Sequence, residues 1–350
     1  MMEITLHKVL LKKRFPLQIS RGVHGDRYNI FVRVEKDGYV GWGESAPGKN
    51  EGADTPEKVI IELEKLIKMD LSKMSIYDVE NTARELRISP CSYAGLDIAL
   101  WDLKAKKANS PLHSLLGLPI PRKQTSITLG IMRPGLVRER IPLLLENIPA
   151  KSLKVKLGSP KGIDFDMAMY NQVLETASKY DVKLRVDANG GWDLEEAKIM
   201  IDWLSKKKCE YIEQPLAQGK ENDLEFLHNN CPLPIFVDES CRFSKDIIDF
   251  YNHVDGINLK LMKCGGISEA LRILSTAKAH GLMTMIGCMS ESSISISAGA
   301  SISGQIDYID LDSHYNLDPD PAFGAKMIDG ITMPTLIPGH GAKPINENLC

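Results

Sequence analysis

The chain has 350 residues, of which 43% are hydrophobic and 25% charged, with a formal net charge of -3, so it has room for one large domain and a smaller one. The lysine and arginine residues are dispersed, which argues against a nucleic-acid partner, and no run approaches the roughly 20 apolar residues of a membrane-spanning helix. The N-terminus lacks the apolar core of a signal peptide and the seven cysteines form no CxxC pair, so we interpret the chain as a cytoplasmic protein with reduced thiols.

Residues 1–121 mix strand and helix patterns and predict an α+β domain. ITLHKVLLKK alternates like a strand, and YNIFVRVEKDGYVGWGESA predicts a hairpin that turns at Asp37-Gly38. Behind Thr55, TPEKVIIELEKLIKMDL carries apolar residues at helical spacing. The run SPCSYAGLDIALWDLKAKKANSPLHSLLGL predicts a long amphipathic helix closed by a turn of small residues.

Residues 122–315 alternate between strand-like and helical runs such as DFDMAMYNQVLETASKY. The eight predicted strands are TSITLGI, SLKVKLG, KLRVDAN, EYIEQP, PIFVDES, GINLKLMK, MTMIGCM and YIDLDS. Eight strands with intervening helices close into a barrel more readily than they form an open sheet. Residues 316–350 are rich in Pro and Gly, and we expect them to fold back on the N-terminal part.

Three acidic residues stand at the ends of consecutive predicted strands: Asp187, Glu213 and Asp238. Active sites of such barrels lie at the C-terminal ends of the strands, and a carboxylate there needs a partner. Each acid alone could cap the following helix, but three in succession favour a shared divalent cation. Oxygen-only ligands suit octahedral Mg²⁺, and the lack of Cys or His at these positions disfavours zinc.

Lysines bracket these acids on both sides. Lys154 and Lys156 alternate with apolar residues, so both point to one face of their strand, which in a barrel is the interior. Lys260 also points inward if Asn258 shares its face. Two lysines near each other and near a cation lower one another's pKa toward that of a general base; the alternative is that they only neutralise the acids.

The ordered motifs K-x-K, D-A-N, E-Q-P, D-E-S and N-L-K-L-M-K-C-G-G resemble those of the enolase superfamily, and more closely its muconate-lactonizing-enzyme-like branch, over essentially the whole chain. The resemblance implies an α/β fold, in which an N-terminal α+β capping domain covers a modified (β/α)7β TIM-type barrel. It also implies Mg²⁺, with Mn²⁺ as a substitute, on Asp187, Glu213 and Asp238.

The same resemblance implies roles for five further residues. Lys156 and Lys260 would be the bases on opposite faces of the substrate, and Lys154 would help to stabilise an enolate. Asn189 and Glu239 would adjoin the metal ligands. The reaction would be a 1,1-proton transfer through an enediolate, hence an epimerisation, and relatives commonly form homo-oligomers.

Asp310 and Asp312, in the last predicted strand, indicate the substrate class. A D-x-D there looks like the dipeptide epimerases, in which it holds the α-ammonium group of a small dipeptide; the alternative is a turn at the strand end. Muconate cycloisomerase, N-succinyl amino acid racemase and o-succinylbenzoate synthase are the alternative enzymes. A catalytically silent binding relative is the non-enzyme alternative.

Five residues in three loops bear on the choice of dipeptide. Arg21 resembles the arginine that contacts a side-chain carboxylate of the substrate in Ala-Glu epimerases. Lys49 would favour an acidic side chain on the substrate, whereas Glu51 would favour a basic one. Ser290 and Glu291 are expected at the pocket wall, where an acid would favour a cationic side chain. The cationic Arg21 and Lys49 favour L-Ala-D/L-Glu, a dipeptide of cell-wall recycling, over a cationic or hydrophobic dipeptide.

Overall fold

In the computed structural model, which describes residues 2–229 and 231–346, an N-terminal α+β part adjoins an eight-stranded parallel barrel and a C-terminal segment of short strands. The N-terminal strands are β1 (Met2–Leu11), β2 (Leu17–Ile19), β3 (Gly22–His24), β4 (Arg27–Lys36) and β5 (Tyr39–Ser45). The N-terminal helices are α1 (Pro56–Ile67), α2 (Ile76–Glu85), α3 (Pro90–Lys107) and α4 (Leu112–Leu115).

The N-terminal sheet is antiparallel, in the order β1-β4-β5. The predicted hairpin is confirmed, because Asp37 (φ 55°) and Gly38 (φ 79°) form the two-residue connection between β4 and β5. Positive φ at both positions matches the twist of the flanking strands. The predicted start of α1 is also confirmed, since the side chain of Thr55 accepts a hydrogen bond from the backbone of Lys58 at 3.2 Å.

The helix predicted as amphipathic, α3, is instead buried along nearly its whole length, so that prediction is wrong. One side packs so closely on β5 that a Cβ atom added at Gly43 would lie 1.9 Å from the carbonyl oxygen of Gly95. The other side contacts the barrel helices. The helix ends before Asn109, whose φ of 48° leaves the helical region, and α4 follows as a separate turn.

The eight strands predicted for the barrel are all present and pair in parallel in sequence order. They are β6 (Ser126–Leu129), β7 (Ser152–Lys156), β8 (Lys183–Asp187), β9 (Cys209–Glu213), β10 (Ile235–Val237), β11 (Gly256–Lys260), β12 (Met283–Gly287) and β13 (Tyr308–Ile309). A parallel bridge between Thr125 and Ile309 joins the first strand to the last and closes the barrel.

Helical segments connect successive barrel strands, which gives the (β/α)7β order. The α-helices are α5 (Pro134–Leu145), α6 (Ile163–Ala177), α7 (Leu194–Ser205), α8 (Leu224–His228), α9 (Leu261–Cys264), α10 (Ile267–Ala279) and α11 (Ser293–Ile302). A 3₁₀ segment, Ser244–Asp249, takes the place of a helix after β10. None of the helices in residues 2–229 and 231–346 combines the length and the apolar character that crossing a membrane requires.

Aromatic residues fill the N-terminal end of the barrel. The rings of Tyr211 and Phe236 lie 5.0 Å apart, and Tyr308 packs edge-on against both. The guanidinium group of Arg185 lies 5.2 Å from the Tyr308 ring. This end of the barrel is therefore filled by aromatic rings and Arg185, and the carboxylates that follow the strands lie at the opposite, C-terminal mouth.

The C-terminal segment contacts the N-terminal part; residues 347–350 of the range 316–350 predicted to fold back lie outside the described residues. Its strands are β14 (Ala322–Phe323), β15 (Lys326–Ile328), β16 (Ile331–Met333) and β17 (Lys343–Pro344). The backbone of His340 donates to Asp102 at 2.9 Å, and its ring bonds the carbonyl of Trp42 at 2.7 Å. These contacts join the segment to α3 and β5.

Candidate active site

Three carboxylates lie together at the C-terminal mouth of the barrel, as the sequence predicts. Asp187 ends β8 and Glu213 ends β9, where the two residues are direct partners across the strand pair. Asp238 follows β10. All three side chains are buried, so each needs a compensating positive charge or a metal ion.

The three predicted lysines point into the barrel and contact these carboxylates. Lys156 lies 2.5 Å from Asp187, and Lys260 lies 2.7 Å from Asp238. Lys154 lies 3.1 Å from Glu213 and 3.8 Å from Asp187. Lysines from β7 and β11 therefore flank the acid cluster, which occupies the strand ends between them.

A fourth lysine, Lys263 in the short helix α9, completes the cluster and was given no role from sequence. Its ammonium group donates to Asp238 Oδ1 at 2.9 Å, to the carbonyl of Asn258 at 2.6 Å and to the carbonyl of Asp238. Asn258 in turn donates to Glu213 at 2.6 Å. The sequence signal for Lys263 is its position as a charged residue in the otherwise apolar run LMKC before Gly265-Gly266.

Burial and charge act in opposite directions on the acids of this cluster. Burial raises the pKa of Glu213 to about 7, and repulsion from Asp187 adds to the rise. Burial would also raise the pKa of Asp187, but Lys156 and Lys154 together lower it below the usual value.

The pKa values of Lys260 and Lys154 are raised above that of a free lysine by the surrounding carboxylates. Burial favours the neutral amine of Lys260, but attraction to Asp238 and Glu213 outweighs it and raises the pKa. Burial is likewise outweighed at Lys154, whose pKa rises through attraction to Asp310 and Glu213. The lowered pKa expected from sequence applies to lysines beside a bound cation, and it stays a prediction.

The three carboxylates fit Mg²⁺ through the chemistry of their donors. Among the described residues, no three acidic, His or Cys groups stand close enough to share one ion as the side chains are placed, and each of these carboxylates is paired with a lysine. The neighbouring acceptors are also oxygens, and within the described chain three of them are buried without a hydrogen-bond partner: Asn189 Oδ1, Glu239 Oε2 and Asn258 Oδ1. A donor set made of oxygens alone suits a hard divalent cation.

Asn189 and Glu239 adjoin the candidate metal ligands, in agreement with their predicted positions. Asn189 adopts a left-handed backbone conformation (φ 46°) and bonds Asp187 through its backbone N–H at 2.7 Å and its side-chain amide at 3.1 Å. The amide lies 3.4 Å from Glu239. Arg21 reaches the same place from the N-terminal part, where it pairs with Glu239 and donates to the carbonyl of Asn189 at 2.7 Å.

The D-x-D pair lines the same barrel mouth, but it follows the last strand instead of lying in it as predicted, because β13 ends at Ile309. Asp310 forms an ion pair with Lys154, and its other oxygen is a buried acceptor without a partner among the described residues. Asp312 accepts a hydrogen bond from the backbone of Thr128 at 2.7 Å. Burial, followed by repulsion from Asp310, raises the pKa of Asp312 to about 6.

The remaining candidate specificity residues differ in exposure. Ser290 is half-buried and its carbonyl accepts from Asn29 at 2.8 Å. Glu291 is buried, and burial raises its pKa to about 8, so this carboxyl is largely protonated at neutral pH. Lys49 is exposed in a turn in which Glu51 is buried.

Two cations of the N-terminal part, Arg27 and Lys13, were not identified from sequence. Burial lowers the pKa of Arg27, against the opposing charges of Glu51 and Glu291. Burial and the charge of Arg27 lower the pKa of Lys13 to about 8, with Asp312 acting in the opposite direction. Their positions depend on how the N-terminal sheet packs on the barrel, for which the sequence held no signal.

Both parts of the chain match family models. Residues 142–348 match the enolase C-terminal domain-like family, and residues 1–117 match the mandelate racemase / muconate lactonizing enzyme N-terminal domain. These matches cover the N-terminal part, the barrel from the end of α5 onward and the C-terminal segment.

Relatives and a solved structure agree with these matches. The chain is 59% identical to a "hydrophobic dipeptide epimerase" of a Flavobacteria bacterium, over 97% of this chain and 98% of the relative. It is 55% identical to a protein of the same name from Roseobacter litoralis, again over 97% and 98%. A dipeptide epimerase from Enterococcus faecalis, crystallised with Mg and L-Leu-L-Tyr, superposes with a TM-score of 0.90 at 30% identity, covering 97% of this chain and 98% of that one.

Proposed function

Since the chain belongs to the mandelate racemase and muconate lactonizing enzyme family of enolase-like proteins, we propose that it is a Mg²⁺-dependent dipeptide epimerase. The reaction is a 1,1-proton transfer at the α-carbon of the C-terminal residue. The observation that carries the proposal is the pair of buried lysines, Lys156 and Lys260, that flank the carboxylate cluster from opposite sides. A silent binding protein would have no use for two such amines.

Asp187, Glu213 and Asp238 would hold the metal ion, and Mn²⁺ would be accepted as a second hard cation with the same donor preference. When bound, Mg²⁺ supplies positive charge that stabilises the additional negative charge of an enediolate. The solved relative that contains Mg and a dipeptide supports this assignment.

The lysines perform the proton transfers in this proposal. One of Lys156 and Lys260 removes the α-proton as a neutral amine, and the other, as an ammonium group, returns a proton to the opposite face. Lys154 contributes a fixed positive charge, because its contacts with Glu213 and Asp310 hold it in the barrel. Removal from one face and return to the other inverts the stereocentre.

Asp310 and Asp312 are proposed to bind the α-ammonium group of the dipeptide. The buried oxygen of Asp310 that lacks a partner among the described residues supports this role, because a buried acceptor is stabilised by a donor. An ammonium group offers three donors with a positive charge. Substrates of the alternative enzymes, which lack a free ammonium group, would leave this pair without a function.

The proposed substrates are hydrophobic dipeptides. Two relatives with more than half of their residues identical carry that name. Two charges that would favour other substrates are compensated: Arg21 is paired with Glu239, and Glu291 is largely protonated at neutral pH. The preference for L-Ala-D/L-Glu, which rests on Arg21 and Lys49, remains a prediction with less support.

Proton exchange tests the proposal. The enzyme with Mg²⁺ is incubated in D₂O with L-Leu-L-Tyr, L-Ala-L-Glu and a wider dipeptide library, and deuterium is located by mass spectrometry. We expect incorporation at the C-terminal α-carbon, fastest for hydrophobic dipeptides. Muconate and N-succinyl amino acids are assayed in parallel, and turnover of these substrates without exchange in any dipeptide would contradict the proposal.

A further inference from the structure

Arg21 lies at the tip of the short hairpin formed by β2 and β3. Ile19 and Gly22 are partners across the hairpin, so Ser20 and Arg21 form its two-residue connection. This tip reaches across from the N-terminal part to the mouth of the barrel. Its side chains therefore meet residues that follow the barrel strands rather than residues of their own sheet.

Both tip residues bond the same carbonyl group of the barrel. Ser20 donates through its hydroxyl to the carbonyl of Asn189 at 2.8 Å, and Arg21 donates through Nη1 at 2.7 Å. The other terminal nitrogen of Arg21 pairs with Glu239. One guanidinium group thus contacts the loops that follow two of the three candidate metal-binding strands.

The side chains of Arg21 and Glu239 differ in their exposure to solvent. The Glu239 side chain is 8% exposed and that of Arg21 is 43% exposed. The carboxylate is thus fixed inside the protein, while the guanidinium group arrives from the surface. A carboxylate on a substrate would have to compete for Arg21 with a buried acid that has lost its contact with bulk water.

The rest of the hairpin has few anchors. The three residues of β3 are all exposed, and the backbone of Ile131 donates to the carbonyl of Gln18 at 2.8 Å. Ile19 is buried. The contacts of the tip therefore add to the close approach of Gly130 to Leu17 and Gln18 in attaching this hairpin to the barrel.

The tip is also connected to a candidate metal ligand. The carbonyl that receives Ser20 and Arg21 belongs to Asn189, whose backbone and side-chain N–H groups both bond Asp187. A change in the position of the tip would therefore be transmitted to Asp187 through Asn189.

From these contacts we propose that Arg21 is a positioning residue, which fastens the β2–β3 hairpin to the metal-binding end of the barrel instead of recognising the substrate side chain. This inference deepens the proposed dipeptide epimerase function and rests on it. A dipeptide without a side-chain charge, such as L-Leu-L-Tyr, is the decisive probe, since a residue that recognises only a side-chain carboxylate has no effect on its turnover.

The test compares Arg21→Gln, Arg21→Lys and Glu239→Gln with the wild type, and uses Arg138→Gln as a matched control. Arg138 is exposed on the outside of the barrel and faces Glu175 at 3.5 Å. We expect Arg21→Gln to lower kcat/KM for L-Leu-L-Tyr by about 10- to 100-fold, the range of a charge-assisted hydrogen bond. Arg21→Lys keeps the positive charge but not the planar guanidinium group with its two terminal nitrogens, so its kcat/KM should fall less.

A second measurement, amide hydrogen exchange, reports directly on the attachment of the hairpin to the barrel. In Arg21→Gln, amide hydrogen exchange of residues 17–24 should become faster while the melting temperature is unchanged. Glu239→Gln should cause a smaller loss when added to Arg21→Gln than when made in the wild type, because the two substitutions remove the same ion pair.

If Arg21→Gln keeps the wild-type kcat/KM for L-Leu-L-Tyr and loses activity only with L-Ala-L-Glu, the inference is overturned. If the wild type exchanges no dipeptide, the proposed function fails, and hydrogen exchange alone then decides whether Arg21 fastens the hairpin. Unchanged exchange of residues 17–24 would overturn that role.

Discussion

Among single residues, Lys263 has the contacts whose loss is expected to cost most. It is buried and bonds both a carboxylate oxygen and the carbonyl of Asp238. Lys263→Met keeps the length of the side chain but leaves a buried carboxylate short of positive charge. We expect the free energy of unfolding, measured with urea, to fall by about 3 kcal/mol or more.

Lys206→Met is the control for this prediction. Lys206 pairs with Asp202 in an exposed position, where ion pairs contribute about 0 to 1 kcal/mol. Equal stabilities of the two variants would show that Lys263 does not compensate a buried charge.

Lys156 and Lys260 are predicted to act on opposite faces of the substrate. Lys156→Ala and Lys260→Ala should each reduce epimerisation by at least about 100-fold, the lower limit for a positioned acid or base. Each variant should still exchange the α-proton of one epimer with D₂O, a different one in each case. Chiral separation followed by mass spectrometry distinguishes the epimers.

The control is Lys183→Ala, since Lys183 lies at the other end of the barrel and is largely exposed. Full epimerase activity in either active-site variant would refute the two-base scheme. Loss of exchange for both epimers in both variants would leave the face assignment without support.

The sequence predicted many of the residues that meet at the barrel mouth. It did not predict which side chains they contact there. Asp187 and Lys156 stand at strand ends or alternate along a strand, and periodicity suffices to bring them together. Arg21 is different, because its contact with Glu239 spans 218 positions in the chain. Such a contact depends on how the two parts of the molecule pack, which no local pattern encodes.

The same limit applies to whole elements. Strands were predictable because buried parallel strands give short apolar runs. The packing of α3 was not, since the sequence does not show whether a polar residue such as Asp97 faces solvent or a buried partner. In the structure Asp97 and Trp101 both contact Ser268 at the start of α10, so they form a buried contact between the two parts.

This contact between α3 and α10 should make stability depend on pH. Burial raises the pKa of Asp97 to about 7, although hydrogen bonds from Ser268 oppose the rise. The folded protein therefore binds this proton more tightly than the unfolded chain, and the stabilisation is lost as the pH rises from about 4 to about 7.

Asp97→Asn tests this dependence with little change in shape. We expect the stability of the variant, relative to that of the wild type, to increase by about 1.4 kcal/mol per pH unit between pH 5 and 7. Urea unfolding at pH 5, 6, 7 and 8 measures the difference. A difference that stays constant over this range would show that Asp97 does not titrate there.

At the scale of the whole molecule, the site is assembled from parts that are distant in sequence. The candidate metal ligands come from three consecutive strand ends, the flanking lysines come from β7 and β11, and the hairpin tip comes from the N-terminal part. The C-terminal segment holds α3 and β5 through His340. The candidate site therefore combines residues of the barrel and of the N-terminal part, and the C-terminal segment contacts that N-terminal part.

Metal binding should accordingly stabilise the whole protein. An ion that binds the folded state alone, present at 100 times its dissociation constant, adds about 2.7 kcal/mol. We expect Mg²⁺ added after EDTA treatment to raise the melting temperature in proportion to the logarithm of its concentration. Asp238→Asn should abolish most of this shift, because it removes a carboxylate donor from a site that has three.

Asp202→Asn, which changes an exposed acid on the outer helix α7, is the matched control and should keep the full shift. The comparison separates site binding from general effects of salt, because screening acts equally on both variants. An equal shift in Asp238→Asn and Asp202→Asn would place the ion elsewhere, and the lysines would then serve to neutralise the carboxylates.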